Sequence, residues 1–328
     1  MYRRRKVIKE KKPVIPDTIE EFGYRLKSNG EIRSISLELI GNEVEKKLQE
    51  EPLNFQKIYI PVGVDPEKEP HSYIYMTPHA MSTPDKVVVL IAGNNTRIGQ
   101  WSRRIMCDEN INSGSMIRMS QDFVAKGYEV IILNPNANFW VEGRAQENLP
   151  VHTKQIITIP GSDLAEKHTP YVFHHFIRNV KAEKVAVIAQ GWGGHGFACA
   201  LNNEVDFIKS HVKGVAFIDS AHSKGMIEEG EGRRNFLFER CVNWSSDPST
   251  PKGQPINDVR WSCQGISSEQ EVSDFTLPTM YDDIMKFIFI KMGDIEPPPS
   301  DDENDEDDIQ DLTAEEAQAI EGITIDAE

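Results

Sequence analysis

The sequence predicts a mixed α/β domain of three layers built around a mostly parallel central sheet. The first observation is a set of short Val- and Ile-rich runs without polar alternation. They are Lys86-Val87-Val88-Val89-Leu90-Ile91-Ala92, Tyr128-Glu129-Val130-Ile131-Ile132-Leu133, Lys184-Val185-Ala186-Val187-Ile188-Ala189 and Val212-Lys213-Gly214-Val215-Ala216-Phe217-Ile218. Such runs mark strands covered on both faces. The second observation is that segments of helical spacing, at 116–126, 170–180 and 193–209, separate these runs. Strands alternating with helices build βαβ units with right-handed crossovers. The third is a glycine-rich turn, Gly191 to Gly196, directly after the third run.

Taken in order, residues 13–80 read as a lead-in. A helical turn opens at Pro16, residues 31–35 suit a short strand, and 38–50 have helical spacing. Two strand-like runs follow at 57–62 and 72–76, separated by turn residues. The helix at 116–126 is closed by Gly127, and the strand after it ends at Asn134-Pro135-Asn136. Residues 137–169 lack periodicity and read as an insertion or mobile loop. The helix expected at 170–180 sets Phe173, Phe176, Ile177 and Val180 on one face. Further strands are expected at 241–245 and 259–263. A closing helix, 279–292, is placed just after Pro278.

The composition, 39% apolar and 27% charged over 328 residues, allows a sizeable core. No apolar run approaches the roughly 20 residues that span a bilayer. The start, Met1-Tyr2-Arg3-Arg4-Arg5-Lys6, has no apolar stretch behind it, which argues against a secretory signal. Cys107, Cys199, Cys241 and Cys263 stand far apart, so neither a zinc site nor a disulfide framework is expected. No metal or other cofactor is expected, and a reducing compartment fits. The net charge of −16 is concentrated at one end: 15 acidic and no basic residues lie from Asp294 to Glu328, which leaves −1 for the rest. Residues 1–12 hold seven Lys or Arg against one Glu. The expected organisation is a basic disordered head at 1–15, one domain at 16–293, and an acidic disordered tail at 294–328. Within the tail, Thr313-Ala314-Glu315-Glu316 has the form of a helix start. The near-neutral body gives no argument for direct nucleic-acid binding.

Function in parallel sheets collects at the carboxyl ends of the strands. Ala189-Gln190-Gly191-Trp192-Gly193-Gly194 sits at a strand-to-helix turn with small residues two before and two after its centre. That is the form of the nucleophile elbow of an α/β-hydrolase-like fold. The centre of an active elbow carries a nucleophilic side chain; here it is Gly191. Ala92-Gly93-Asn94-Asn95 is the matching oxyanion-like loop, although the same residues form turns without any chemistry. Asp219, at a strand end, has the position of a triad acid, with a capping role as the competing reading. The loop before the last helix, where the closing base belongs, contains Gln270 and no histidine. His222 and His195 are weak candidates for a base and read more simply as structural residues. Gly191-Trp192-Gly193-Gly194-His195-Gly196 also matches a dinucleotide-type glycine pattern. It follows a late strand, and the first acidic residue on the next strand is Asp219.

Several separate motifs, in one order, resemble the Argonaute-binding-protein-two domain family in its animal cotranscriptional-regulator branch. They are residues 86–93, Gly99-Gln100-Trp101-Ser102-Arg103-Arg104, Val130 to Asn136, the glycine elbow, Asp219-Ser220-Ala221-His222 and Cys241-Val242-Asn243-Trp244-Ser245-Ser246. The resemblance spans residues 16–292. It implies an α/β-hydrolase-like fold, residence in nucleus and cytoplasm, and association with Argonaute and chromatin or splicing factors. It also implies Ser at position 191, His at position 190 and a His near position 270. This chain departs at all three, carrying Gly191, Gln190 and Gln270, while Asp219 matches. The leading expectation is therefore a catalytically inactive hydrolase-like scaffold or adaptor in small-RNA or cotranscriptional regulation. A residual serine-independent esterase or small-ligand binder is the alternative, and a nucleotide-binding module the minor one.

Overall fold

The protein is described by a computed structural model covering residues 24–26, 32–141, 143–146, 156–230 and 232–297. The basic head, the helical turn at Pro16, the acidic tail beyond Pro297 and its Thr313 helix start lie outside the described residues. The first elements are β1 (Tyr24–Leu26), β2 (Ile32–Ser34), α1 (Ile35–Gln49), β3 (Gln56–Ile60), β4 (Ser72–Met76) and β5 (Lys86–Ile91). Then come α2 (Arg103–Asp108), α3 (Ile111–Gly114), α4 (Ile117–Ala125), β6 (Glu129–Ile132), β7 (Phe139–Val141), β8 (Arg144–Gln146) and α5 (Ala165–His175). The chain continues with β9 (Lys184–Gln190), α6 (Trp192–Asn203), α7 (Val205–His211), β10 (Val212–Ile218), α8 (Arg233–Arg240) and β11 (Cys241–Ser245). It closes with β12 (Pro255–Ile256), β13 (Gln264–Ser267) and α9 (Thr276–Met292).

Nine strands form one sheet in the order β12-β13-β11-β10-β9-β5-β6-β4-β3. From β13 to β6 every neighbouring pair is parallel, and the strands at both edges are antiparallel. The four Val/Ile runs are its central strands, β5, β6, β9 and β10. All of Val87 to Ile91 and Val185 to Ala189 are buried, as strands covered on both faces require. Their side chains alternate between two cores. On one face Val88, Leu90, Ala186 and Ile188 pack with α1, α4 and α9 through Val44, Phe123, Ile284 and Ile288. On the other, Val87, Val89, Val185 and Val187 pack with α5, α6 and α8 through Phe173, Phe197 and Leu237. This is the three-layer α/β-hydrolase-like architecture. Among the described residues no helix is long and apolar enough to cross a membrane.

Five local expectations need correction. Residues 137–169 are not structureless where described: β7 and β8 pair as a hairpin, and Phe139 bridges to Thr158. Helix α5 begins at Ala165 and carries Pro170 inside it, past the first turn, so the helix forgoes the amide bond that residue 170 would give to the Glu166 carbonyl. The helix expected at 193–209 is two helices, broken at Glu204. The strand expected at 259–263 lies instead at Gln264–Ser267, because Trp261 and Ser262 form a turn in which Ser262 has φ +54°. Helix α9 starts three residues before the expected position, with Pro278 in its first turn.

Strand order places the functional end. After β5 the chain moves outward to β6, then returns to β9 on the other side of β5. The loops leaving β5 and β9 thus diverge in opposite directions. That is the topological switch point where open parallel sheets keep their ligand crevice.

Candidate functional site

The elbow stands at this switch point. Gly191 joins β9 to α6 with φ +51° and ψ −120°, a conformation that glycine enters without steric penalty and L side chains resist. Its amide donates to the Ile218 carbonyl at 2.9 Å, and its own carbonyl accepts from Ala221 at 2.9 Å. The turn is therefore stitched to the end of β10. A Cβ on Gly191 would meet only the Gly93 Cα, at 3.7 Å. Space for a side chain is present; the side chain is not.

The other glycines of the turn answer to packing. A Cβ on Gly193 would stand 2.7 Å from the Ile91 and Ala92 carbonyl oxygens, and one on Gly196 would stand 2.6 Å from Thr169 Oγ1. A Cβ on Gly194 would overlap the Ser220 hydroxyl outright. Their small size is consumed by contacts within the protein, so the glycine pattern needs no phosphate to explain it. Gly194→Ala is expected to lower stability by about 1–3 kcal/mol through this overpacking. Chemical denaturation checks it, and an unchanged midpoint would contradict the assigned contact.

The oxyanion-like loop lies beside the elbow. Gly93 leaves β5, and Asn94 and Asn95 are exposed, with Asn95 at φ +55°. Asn136, at the end of β6, shapes this loop: its Nδ2 donates to the Gly93 carbonyl at 2.7 Å and the Thr96 carbonyl at 2.9 Å. Trp192 is largely exposed beside the turn, its ring edge-on to His195.

Asp219 follows β10 with φ +44°, a strained position for a non-glycine residue. Its Oδ1 accepts from Ser246 N at 2.7 Å, Ser246 Oγ at 2.8 Å and Ser245 Oγ at 3.1 Å. Its Oδ2 is buried and has no hydrogen-bond partner among the described residues. The carboxylate is thus held firmly by one oxygen, and the other is left orphaned. Gln190 Oε1, one residue before the elbow, is orphaned in the same way.

Both candidate histidines make local contacts. His222 is 2% exposed and stacked on Phe217. Its Nε2 faces the Trp261 carbonyl at 3.0 Å, which fixes the proton there, so Nδ1 accepts from Ser220 Oγ at 2.6 Å. Burial pushes its pKa down to about 4, against the opposing pull of the Trp261 carbonyl. His195, on α6, contacts Met226 Sδ at 2.9 Å and Cys199 Sγ at 3.7 Å. Gln270 lies in the loop between β13 and α9, where the sequence places the missing base. The structure brings Gly191, Gly93 and the turn after β10 together and diverts both histidines into local contacts. Among the described residues no group of three His, Cys, Asp or Glu is arranged to hold a metal.

Two residues that sequence reasoning passed over organise this end. Asn136 is one, and its signal was an Asn-Pro-Asn stop after a buried strand. Asn243 in β11 is the other: it is fully buried and accepts from Ser220 N at 3.2 Å. A polar residue inside the buried run Cys241 to Trp244 was the available sign.

Residues 36–250 match the Arb2 domain family model. The chain belongs to the Arb2 domain family. This Arb2 domain chain is 28% identical to the human protein named Cotranscriptional regulator ARB2A, over 83% of this chain and 80% of that one. It is 26% identical to a Dictyostelium discoideum homologue of the same name, covering 83% and 79%. A solved structure described as a histone deacetylase from Saccharomyces cerevisiae matches with TM-score 0.50 and 13% identity. That match covers 78% of this chain and 97% of the other, a likeness of fold.

Proposed function

We propose that this Arb2 domain is a catalytically silent hydrolase-like adaptor in cotranscriptional regulation. The observation that carries the reading is the elbow, which has the positive-φ backbone and the room for a side chain while presenting only Gly191. Loss of one triad member already removes orders of magnitude in rate. Here the nucleophile position is empty, and the nearest histidines are engaged elsewhere. Asp219 then reads as the relic of the acid, with Oδ2 the oxygen that an imidazole would have occupied. The regulatory direction comes from the names of the relatives. Nuclear residence belongs to the same proposal, with a cytoplasmic share as its finer part. Argonaute, chromatin and splicing factors are the proposed partners.

Affinity purification of the tagged chain with quantitative mass spectrometry tests the assembly. Enrichment of Argonaute, chromatin or RNA-processing proteins is expected, and recovery of metabolic enzymes alone would sink the reading. For the chemistry, Gly191→Ser is expected to give no ester turnover above buffer. It should also cost about 1–3 kcal/mol, because serine must adopt the positive-φ backbone. The orphaned Asp219 Oδ2 is the one feature favouring a residual hydrolase or small-ligand binder. Turnover by the native chain that Asp219→Asn abolishes would favour that second reading.

A further inference from the structure

The amino-terminal ends of the parallel strands, opposite the elbow, gather cations from five elements. Lys86 opens β5, Lys184 opens β9, Lys213 is the second residue of β10, Arg240 ends α8 and Lys291 sits in the last turn of α9. They are close neighbours. Lys291 Cβ lies 2.7 Å from where a Cβ on Gly214 would stand, and Lys184 Nζ lies 3.2 Å from the same point on Gly293. Lys213 is held below the usual lysine range by desolvation first, then by Arg240 and Lys184, with Glu183 opposing.

Four of these cations are oriented by backbone carbonyls. Lys184 Nζ donates to Met292 O at 2.8 Å, Lys213 Nζ to Ser210 O at 2.6 Å and Lys291 Nζ to Glu239 O at 2.8 Å. Arg240 Nη1 donates to Lys209 O at 2.7 Å and Val212 O at 2.8 Å. Carbonyl acceptors fix the direction of a cation without cancelling its charge. Asp85, Glu183 and Glu239 are the nearby carboxylates in sequence, and Asp294 is the one already seated among the cations.

Asp294 also shows where the chain goes next. Gly293 ends α9 with φ +81°. Asp294 then pairs with Lys86 and accepts from Tyr128 Oη at 2.5 Å. It is the first of the 15 acidic residues that close the sequence. Asp301 follows it by seven residues, and Asp301 to Asp308 carries seven carboxylates in eight positions. Seven extended residues reach at most about 25 Å, enough to lay that stretch across the same edge.

We propose that the acidic segment Asp301–Asp308 docks on the basic edge of its own domain, against Lys184, Lys213, Arg240 and Lys291. It continues the pairing that Asp294 begins. Tethering places the segment at roughly millimolar effective concentration, so weak individual ion pairs suffice. Screening over about 8 Å at physiological salt makes the contact reversible.

Zero-length carbodiimide cross-linking of the full chain, mapped by mass spectrometry, tests this. At about 50 mM salt, tail carboxylates are expected to join Lys184, Lys213 and Lys291 at least about five-fold more than the exposed Lys46, Lys68 and Lys167. The yield should fall several-fold at about 500 mM salt. Arg240→Glu should lower it at Lys184 and Lys213. Even labelling of all lysines would overturn docking, as would an edge yield indifferent to salt, which is the mark of tethering alone. Cross-links between light and heavy copies in an isotopic mixture would assign the edge to a second molecule and overturn it equally.

Discussion

Glu45→Ala is expected to remove about 3–5 kcal/mol of stability, the range for breaking a buried ion pair on one side. Glu45 lies on α1 and is 5% exposed. Its Oε1 takes the Arg97 guanidinium, with Nε at 2.6 Å and Nη2 at 2.5 Å. Its Oε2 accepts from Tyr73 Oη at 2.6 Å and Tyr75 Oη at 2.8 Å, with Lys57 Nζ at 3.6 Å. One carboxylate thus joins α1, the antiparallel edge strands and the loop leaving β5. Burial is the largest influence on its ionisation and opposes it, yet Arg97, the two tyrosines and Lys57 together hold the pKa below its usual 4.5. The stabilisation is therefore complete above about pH 4.5 and fades as pH falls through the lower folded value. Urea unfolding at neutral pH reads the loss directly. Glu45→Gln should be milder, because it keeps an acceptor for the tyrosines. A loss below about 1 kcal/mol in Glu45→Ala would mean the network is ornamental.

A second large effect is acid sensitivity that begins well above the carboxylate range. His168 is fully buried: Nε2 accepts from Asn134 N at 3.0 Å, which leaves Nδ1–H for Ser162 Oγ at 2.9 Å. Burial lowers its pKa from 6.5 to about 3, as it lowers that of His222 to about 4. Both groups are neutral in the fold and take up protons on unfolding once pH drops below 6.5. Stability is thus intact above about pH 6.5 and is lost down to about pH 4 for His222 and further for His168. Each contributes up to about 1.4 kcal/mol per pH unit. Unfolding midpoints measured from pH 7 to pH 4 should fall steeply, and the fall should be shallower in His222→Gln. A flat profile between pH 7 and pH 5 would refute the buried neutral assignment.

The layers of the fold were legible because their signal is local. Val87 to Ile91 and Val185 to Ala189 are apolar on both faces, short and bounded by turn residues, the form of a covered parallel strand. The elbow was legible for the same reason, since a strand, a small-residue turn and a helix are contiguous. What escaped depended on distant partners. Gln264 to Ser267 becomes a strand because β11 pairs with it in parallel, and no periodicity in four residues announces that. The hairpin of Phe139 to Gln146 is likewise held by pairing. At the site, the sequence located Asp219 and His222 three residues apart but not their opposite fates. Asp219 is turned toward Ser245 and Ser246, and His222 is drawn under Trp261, residues of a loop far along the chain. Asn243 gave only a faint sign because its role is to accept one amide from the turn after β10.

The backbone at residue 191 also sets a direction for change. At φ +51° every L side chain is strained, so a nucleophilic side chain at this position would carry a standing cost in stability. Glycine carries neither a hydroxyl nor that strain. Introducing serine would impose that strain at once, whether or not a base stood near Gln270. On the proposed reading the elbow is a one-way step: leaving glycine costs stability before it can return any chemistry.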